Sequence, residues 1–436
     1  MDKNKKRFIL TGFIFLPLLV FILLTSFLKT AAQTLKESKS VKLEHGFPRI
    51  VYAVQVFNYT EENLKKIASY DILVIGDIVQ DERPEIFDKL RQFNPTIKIL
   101  AYVDPIEIHE SAKKQEKHTI AYQRYKRVPD SWWLKDSSGF QAKAFKDQWL
   151  VDVTNKCSLD QRERWNTFLP KFIHQRVMST GFWDGIMFDN CWKDVTSQVR
   201  NIDQNKDGKK DDPIQLNKEW AEGMETLLNC TRNNETTDKL ILSNVEFFSP
   251  VNGIVIEDMD NYDWHKSWEN VVNKYHYVMK NAVFPQVCFL QVAIYEDELS
   301  TYRKVRFGLT TTLLNNGYFC VSQMLHRDQI VYDPGKIWFD EFGGIKGLKR
   351  GYLGNPKTAA YLYEDQVWRR DFDHGIVLCN PSYKAKLVRL ETTYKKIDGQ
   401  QDRRVNDGSL VSAVTIPPQD GLILLRKPNN SKQSDK

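Results

Sequence analysis

No Gly-Xaa-Ser-Xaa-Gly elbow, phosphate-binding glycine loop or dinucleotide fingerprint occurs in the 436 residues. Serine esterases of the α/β type, P-loop enzymes and nicotinamide enzymes therefore lack their marker elements here. Cysteine is scarce: Cys157, Cys191, Cys230, Cys288, Cys320 and Cys379 are the only six, with no CxxC pair and no Cys/His metal spacing. Cys288, Cys320 and Cys379 lie in apolar runs and read as buried thiols. The eight histidines show no ligand spacing, which argues against a metal-dependent deacetylase. Excess charge is small as well. Of the net +6, five cations and one acid before residue 33 hold +4, leaving +2 for the rest. That is too little for nucleic-acid binding, and no basic stripe with interleaved aromatics appears.

What is present begins with a leader. Asn4-Lys5-Lys6-Arg7 precedes an apolar run from Phe8 to Leu28. The basic side stays cytoplasmic, so the chain beyond it is expected outside, secreted or held at the membrane. The run is long for a signal peptide and just long enough to span a bilayer; its length and Lys29 favour an uncleaved anchor, while Ala31-Ala32-Gln33 offers a cleavage site. Sequons start at Asn58, Asn229, Asn234 and Asn429.

Residues 33–47 read as a polar linker. Eight apolar, strand-like runs follow: Arg49–Val56, Ile72–Ile75, Ile97–Val103, Phe182–Phe188, Leu240–Val245, Gly253–Ile256, Val287–Ile294 and Tyr318–Val321. Helical patterns intervene at Thr60–Ser69, Glu85–Gln92, Ser158–Gln175, Asn217–Asn229, Trp264–Lys280 and Leu299–Leu314. This alternation predicts an α/β fold, a (β/α)₈ TIM barrel over residues 48–366. From 367 to 427 short alternating runs separated by turn residues predict a small β-sandwich-like all-β domain. Residues 428–436 read as a disordered tail.

Active sites of such barrels lie at the carboxyl ends of the strands. The fourth run stops at Asp189 and the sixth at Glu257, each as glycine, apolar residues and then an acid. Two carboxyl groups converging from different strand ends are what glycoside hydrolysis needs, one as acid and one as nucleophile or base. Asp189 and Glu257 are the preferred pair, with Glu246, Asp258, Glu296 and Glu341 as alternatives. Each also has a plainer reading as a cap or loop carboxylate. Asp184, an odd number of residues before Asp189, belongs to the other face of its strand. Trp132, Trp133, Trp192 and Trp264 are candidates for stacking on sugar rings, although rings of this size also fill cores. Asp203, Asn205, Asp207 and Asp211 surround Gly208 with part of the spacing of a calcium loop, but Ile214 stands where an EF-hand places its glutamate. A structural Ca²⁺ and a metal-free turn both fit. No cofactor is needed for catalysis.

Four stretches together resemble the hypothetical glycoside hydrolase-like family fifteen: Trp183–Asn190, Trp149–Asn155, Trp338–Phe342, and Trp368–Phe372 with Gly375–Pro381. The likeness runs from about residue 48 to residue 426. It implies a TIM barrel similar to α-galactosidase-type enzymes, with Asp189 as nucleophile and Glu257 as acid/base. Those relatives often carry Asp at the second position, which keeps Asp258 in view. The function expected is exported hydrolysis of a poly- or oligosaccharide. The alternative is a non-catalytic carbohydrate-binding or cell-envelope protein on the same scaffold. If the leader is an anchor, intact mass of the mature protein will include it; a chain starting near Gln33 rules the anchor out.

Overall fold

The computed structural model describes residues 46–427 apart from 55–57, 296–299, 326–328, 331–333, 335 and 345–347. The leader, most of the linker, the tail and Glu296 lie outside the described residues. Eight parallel strands form the barrel: β1 (Ile50–Ala53), β2 (Ile72–Gly76), β3 (Lys98–Val103), β4 (Gly185–Phe188), β5 (Leu240–Asn244), β6 (Gly253–Ile256), β7 (Phe289–Tyr295) and β8 (Tyr318–Leu325). They pair in that order, and β8 closes on β1 through Ile50 opposite Phe319 and Val51 opposite Cys320. A short antiparallel strand, Gln329–Ile330, extends from β8. Each of the eight apolar runs supplies one strand, because a strand buried on both faces must be apolar throughout. β2, β4, β5 and β6 are buried at every residue.

The opening glycines of β4 and β6 have a steric reason. A Cβ on Gly185 would stand 2.2 Å from the Leu240 carbonyl oxygen, and one on Gly253 1.6 Å from that of Val287. Neighbouring backbone fills the space a side chain would need. Helices fall where the pattern places them. Thr60 caps the first, its hydroxyl accepting from the Asn63 amide at 3.2 Å. Between β5 and β6 no helix occurs among the described residues, so Asn244 and Gly253 are joined by one short loop.

The excursion between β3 and β4 carries an antiparallel pair, Glu107–His109 with Gln148–Leu150. It also contains an aromatic cluster of Trp132, Trp165 and Phe168, with ring centroids 5.5–6.2 Å apart. All six cysteines are free thiols, five of them buried.

The C-terminal region differs from a sandwich. It is one six-stranded antiparallel sheet in the order β9-β10-β11-β14-β12-β13. The strands are β9 (Tyr361–Tyr363), β10 (Val367–Asp371), β11 (Gly375–Asn380), β12 (Lys386–Lys396), β13 (Leu410–Ile416) and β14 (Asp420–Leu425). The sheet opens at Tyr361, earlier than the change of sequence texture at 367. No second sheet is required, because β11 and β14 pack on the helix Ser300–Leu313 that precedes β8. Arg306 of that helix joins the two parts. Its guanidinium makes a two-pronged pair with Asp420 at 3.0 and 2.9 Å and a third bond to Asp402 at 2.7 Å. Arg306 and Asp420 are buried and Asp402 partly so, so removing one partner strands a charge. Arg306→Ala should cost about 3–5 kcal/mol of stability, read as a fall in the denaturant midpoint.

Candidate active site

Three adjacent strands end in the same way. Asp189, Asn244 and Glu257 follow or close β4, β5 and β6. The next residues, Asn190, Val245 and Asp258, have φ of 48°, 68° and 41°. Left-handed backbone is costly for a non-glycine residue, most of all for β-branched Val245. Side chains fasten two of these turns locally: the Asn190 amide donates to Asp189 Oδ1 and the Val245 amide to Asn244 Oδ1, both at 2.8 Å.

Asp189 is the centre of the arrangement. Besides the Asn190 amide, Oδ1 accepts from Asn244 Nδ2 at 2.6 Å, and Oδ2 accepts a short hydrogen bond from the Tyr102 hydroxyl. This convergence of donors suits an ionised carboxylate. Asn244 also lies beside the Glu257 side chain and works against its upward shift. Its carbonyl oxygen is occupied by Val245 and its amide nitrogen by Asp189, with Glu257 close by. The two carboxyl groups thus meet at one rim of the barrel. Glu257 can be reached by solvent, yet the surrounding protein strips enough water that burial, and then the Asp189 charge, pushes its carboxyl up to about 7.

On the other side of Asp189, Asp104 Oδ1 accepts the Ile106 and Glu107 amides, both at 2.9 Å, while Oδ2 accepts from Asn190 Nδ2 at 2.8 Å. Burial, with Asp189 nearby, raises Asp104 to about 6; burial, with Asp104 nearby, raises Glu107 to about 8. These acids border a cavity of about 490 Å³ that Tyr102, Arg124 and Phe145 also line.

The other expected residues lie elsewhere or act otherwise. Trp132 and Trp133 are core residues: Trp132 is fastened through Nε1 to the Ser158 carbonyl at 2.8 Å, and Trp133 packs on Trp149 at 5.5 Å. Neither has a face free for a sugar. Trp192 is likewise buried, and its neighbour Phe145, 47% exposed, is the ring that reaches the cavity. Trp264 is 63% exposed, on a short helix tied to the Glu257 carbonyl by His265 Nε2 at 2.8 Å. Glu341 is buried against the C-terminal region, accepting from Asn406 Nδ2 at 2.8 Å, and is remote in role from the rim. Asp258 turns to the Ala293 amide and Lys304. Glu246 is half-buried in the β5–β6 loop, its carbonyl accepting from the Ser243 hydroxyl at 2.7 Å. Asp184 faces away, bonded to Arg91 at 3.1 Å and to the Ile99 amide at 3.0 Å.

Asp203, Asn205, Asp207 and Asp211 belong to one loop, and each accepts from a backbone amide within it: Asp203 from Asp207 and Gly208, Asn205 from Asp207, Asp207 from Lys209, and Asp211 from Gln204. Among the described residues no group of three or more His, Cys, Asp or Glu side chains is placed to hold a metal ion. Gln204 braces the loop on buried Asp152 at 2.7 Å. Tyr102, Asn190, Asn244 and Glu107 are the site residues that sequence reasoning missed. Only their nearness to the strand ends could have signalled them.

The sequence model of hypothetical glycosyl hydrolase family 15 matches residues 91–376, more than half of the chain. The chain belongs to this family. The match contains Asp104, Asp189, Asn244 and Glu257. No curated protein sequence matches. Solved structures with a similar fold include a trehalulose synthase MutB mutant in complex with the substrate sucrose, at 10% identity, covering 86% of this chain and 98% of that one with a TM-score of 0.47. An isomaltulose synthase mutant from Erwinia rhapontici NX5 in complex with sucrose matches at 12% identity, 87% and 98% coverage and a TM-score of 0.45. Among the described residues no helix is long and apolar enough to cross a membrane.

The Asp189 charge is one cause of the upward shift at Glu257, so removing it should reverse part of the shift. In Asp189→Asn, a carbon-detected NMR titration should place Glu257 below about 7. An unchanged midpoint would show that the two groups do not interact.

Proposed function

We propose that this family member is an exported glycoside hydrolase that cleaves a poly- or oligosaccharide, with Asp189 attacking or orienting at the anomeric carbon and Glu257 protonating the leaving oxygen. The observation that carries this reading is the closeness of the two carboxyl groups at the rim, Asp189 held by the Asn244 amide and Glu257 beside them raised to about 7. One acid then holds a proton near neutral pH while its neighbour accepts from several donors. That division of labour is what glycosidic cleavage demands. Exposed Trp264, on the helix tied to Glu257, offers a ring face to a sugar on the leaving-group side. Export rests on the basic, apolar leader.

A reducing-end assay over a polysaccharide panel tests the reading. Asp189→Asn and Glu257→Gln should each lower turnover by about 10²-fold or more with folding intact. Activity requiring a protonated Glu257 should fall as pH rises through about 7. Near-normal turnover in Asp189→Asn would sink the assignment. Glycan binding without product release would favour a non-catalytic carbohydrate-binding protein instead.

A further inference from the structure

Glu257 reaches Asp189 from the β6 side, by way of Asn244 on β5. The cavity of about 490 Å³ lies on the opposite flank, at the ends of β2, β3 and β4, and has Asp189 in its wall. Its size falls within the range of about 300–1,000 Å³ common for small-molecule sites. Two of its lining side chains are incompletely bonded. Glu107 is 2% exposed and its Oε1 has no hydrogen-bond partner among the described residues. Arg124 is 9% exposed and its Nε likewise has none. Buried polar atoms are nearly always paired. A sugar hydroxyl can donate to one such atom and accept from the other.

The charges on the wall narrow the choice. Arg124 is already paired with Asp77. That leaves Asp104 and Glu107, which stand beside Asp189, with no cation among the groups that chiefly perturb them. A carboxylate on the ligand would meet like charge at Asp104 and Asp189, whereas a neutral ring would not. Since Glu107 is raised to about 8, it carries its proton at pH 7, and a glutamine there has nearly the same shape and hydrogen-bonding groups.

We propose that this cavity is the subsite for the sugar ring whose anomeric carbon faces Asp189, that Glu107 is its specificity-determining residue, and that the ring is a neutral hexopyranose rather than a uronic acid. The glycosidase reading is what directs that ring's anomeric carbon at Asp189, and the inference rests on it.

Calorimetric titration of the full chain at pH 7 tests this. The probes are the methyl glycosides of glucose, galactose and mannose and the corresponding methyl uronides. At least one neutral glycoside should bind, with its uronide weaker by about tenfold or more. Glu107→Ala should lose about tenfold or more, while Glu107→Gln stays close to the parent chain. Equal binding of neutral and acidic probes, no binding of any neutral probe, or unchanged affinity in a folded Glu107→Ala chain overturns the proposal. If Glu107→Ala does not fold, the uronide comparison decides alone. Polysaccharide hydrolysis that persists while these titrations fail leaves the Asp189–Glu257 assignment standing. Selective binding without hydrolysis of any polysaccharide removes that assignment and keeps the subsite.

Discussion

Two carboxyl groups brought together at the edge of a protein repel each other, and here an amide stands between them. Asn244 donates to Asp189 and lies beside Glu257, while its carbonyl is held by the following backbone amide. The amide is therefore oriented, and so are the acids. Barrel closure makes the placement possible. β4, β5 and β6 are consecutive neighbours in a sheet whose last strand returns to its first, so their carboxyl ends share one rim. Without the amide, the burial and repulsion that lift Glu257 would face less opposition. Without closure, there would be no rim on which to hold the groups.

Beneath the site lies tight packing that leaves little freedom. Gly185 and Gly253 let adjacent backbones approach where any side chain would collide. Arg306 ties the helix before β8 to the C-terminal sheet through buried Asp420. Each contact restrains a strand or helix whose end contributes to the rim or stands beside it.

Much of this was legible in the sequence, for a physical reason. A strand buried on both faces must be apolar, so eight apolar runs announced eight strands, and the acids that stopped the fourth and sixth marked the rim. The repeated glycine–apolar–acid pattern reflected steric need at one end and exposure at the other. Tryptophans were harder to read, because a ring that could stack on sugar serves a core equally well. Trp132 and Trp133 went to the core, while the less conspicuous Phe145 faces the cavity. Asn244 and Tyr102 gave no signal, since an amide or phenol at a strand end becomes informative only when its partner across the sheet is known. Left-handed backbone at Asn190, Val245 and Asp258 was equally hidden, because none of the three is glycine. The C-terminal sheet needs no second layer, since a barrel helix covers it.

The residues that gather around Asp189 and Glu257 come from strand ends, and their spacing is set by sheet register rather than by the long segments above them. Of those segments, 105–150 supplies Glu107, Arg124 and Phe145 to the cavity wall, so its composition sets what can be bound beside Asp189. Descendants of such a scaffold can thus diverge in what they recognise while their reaction centre stays in place.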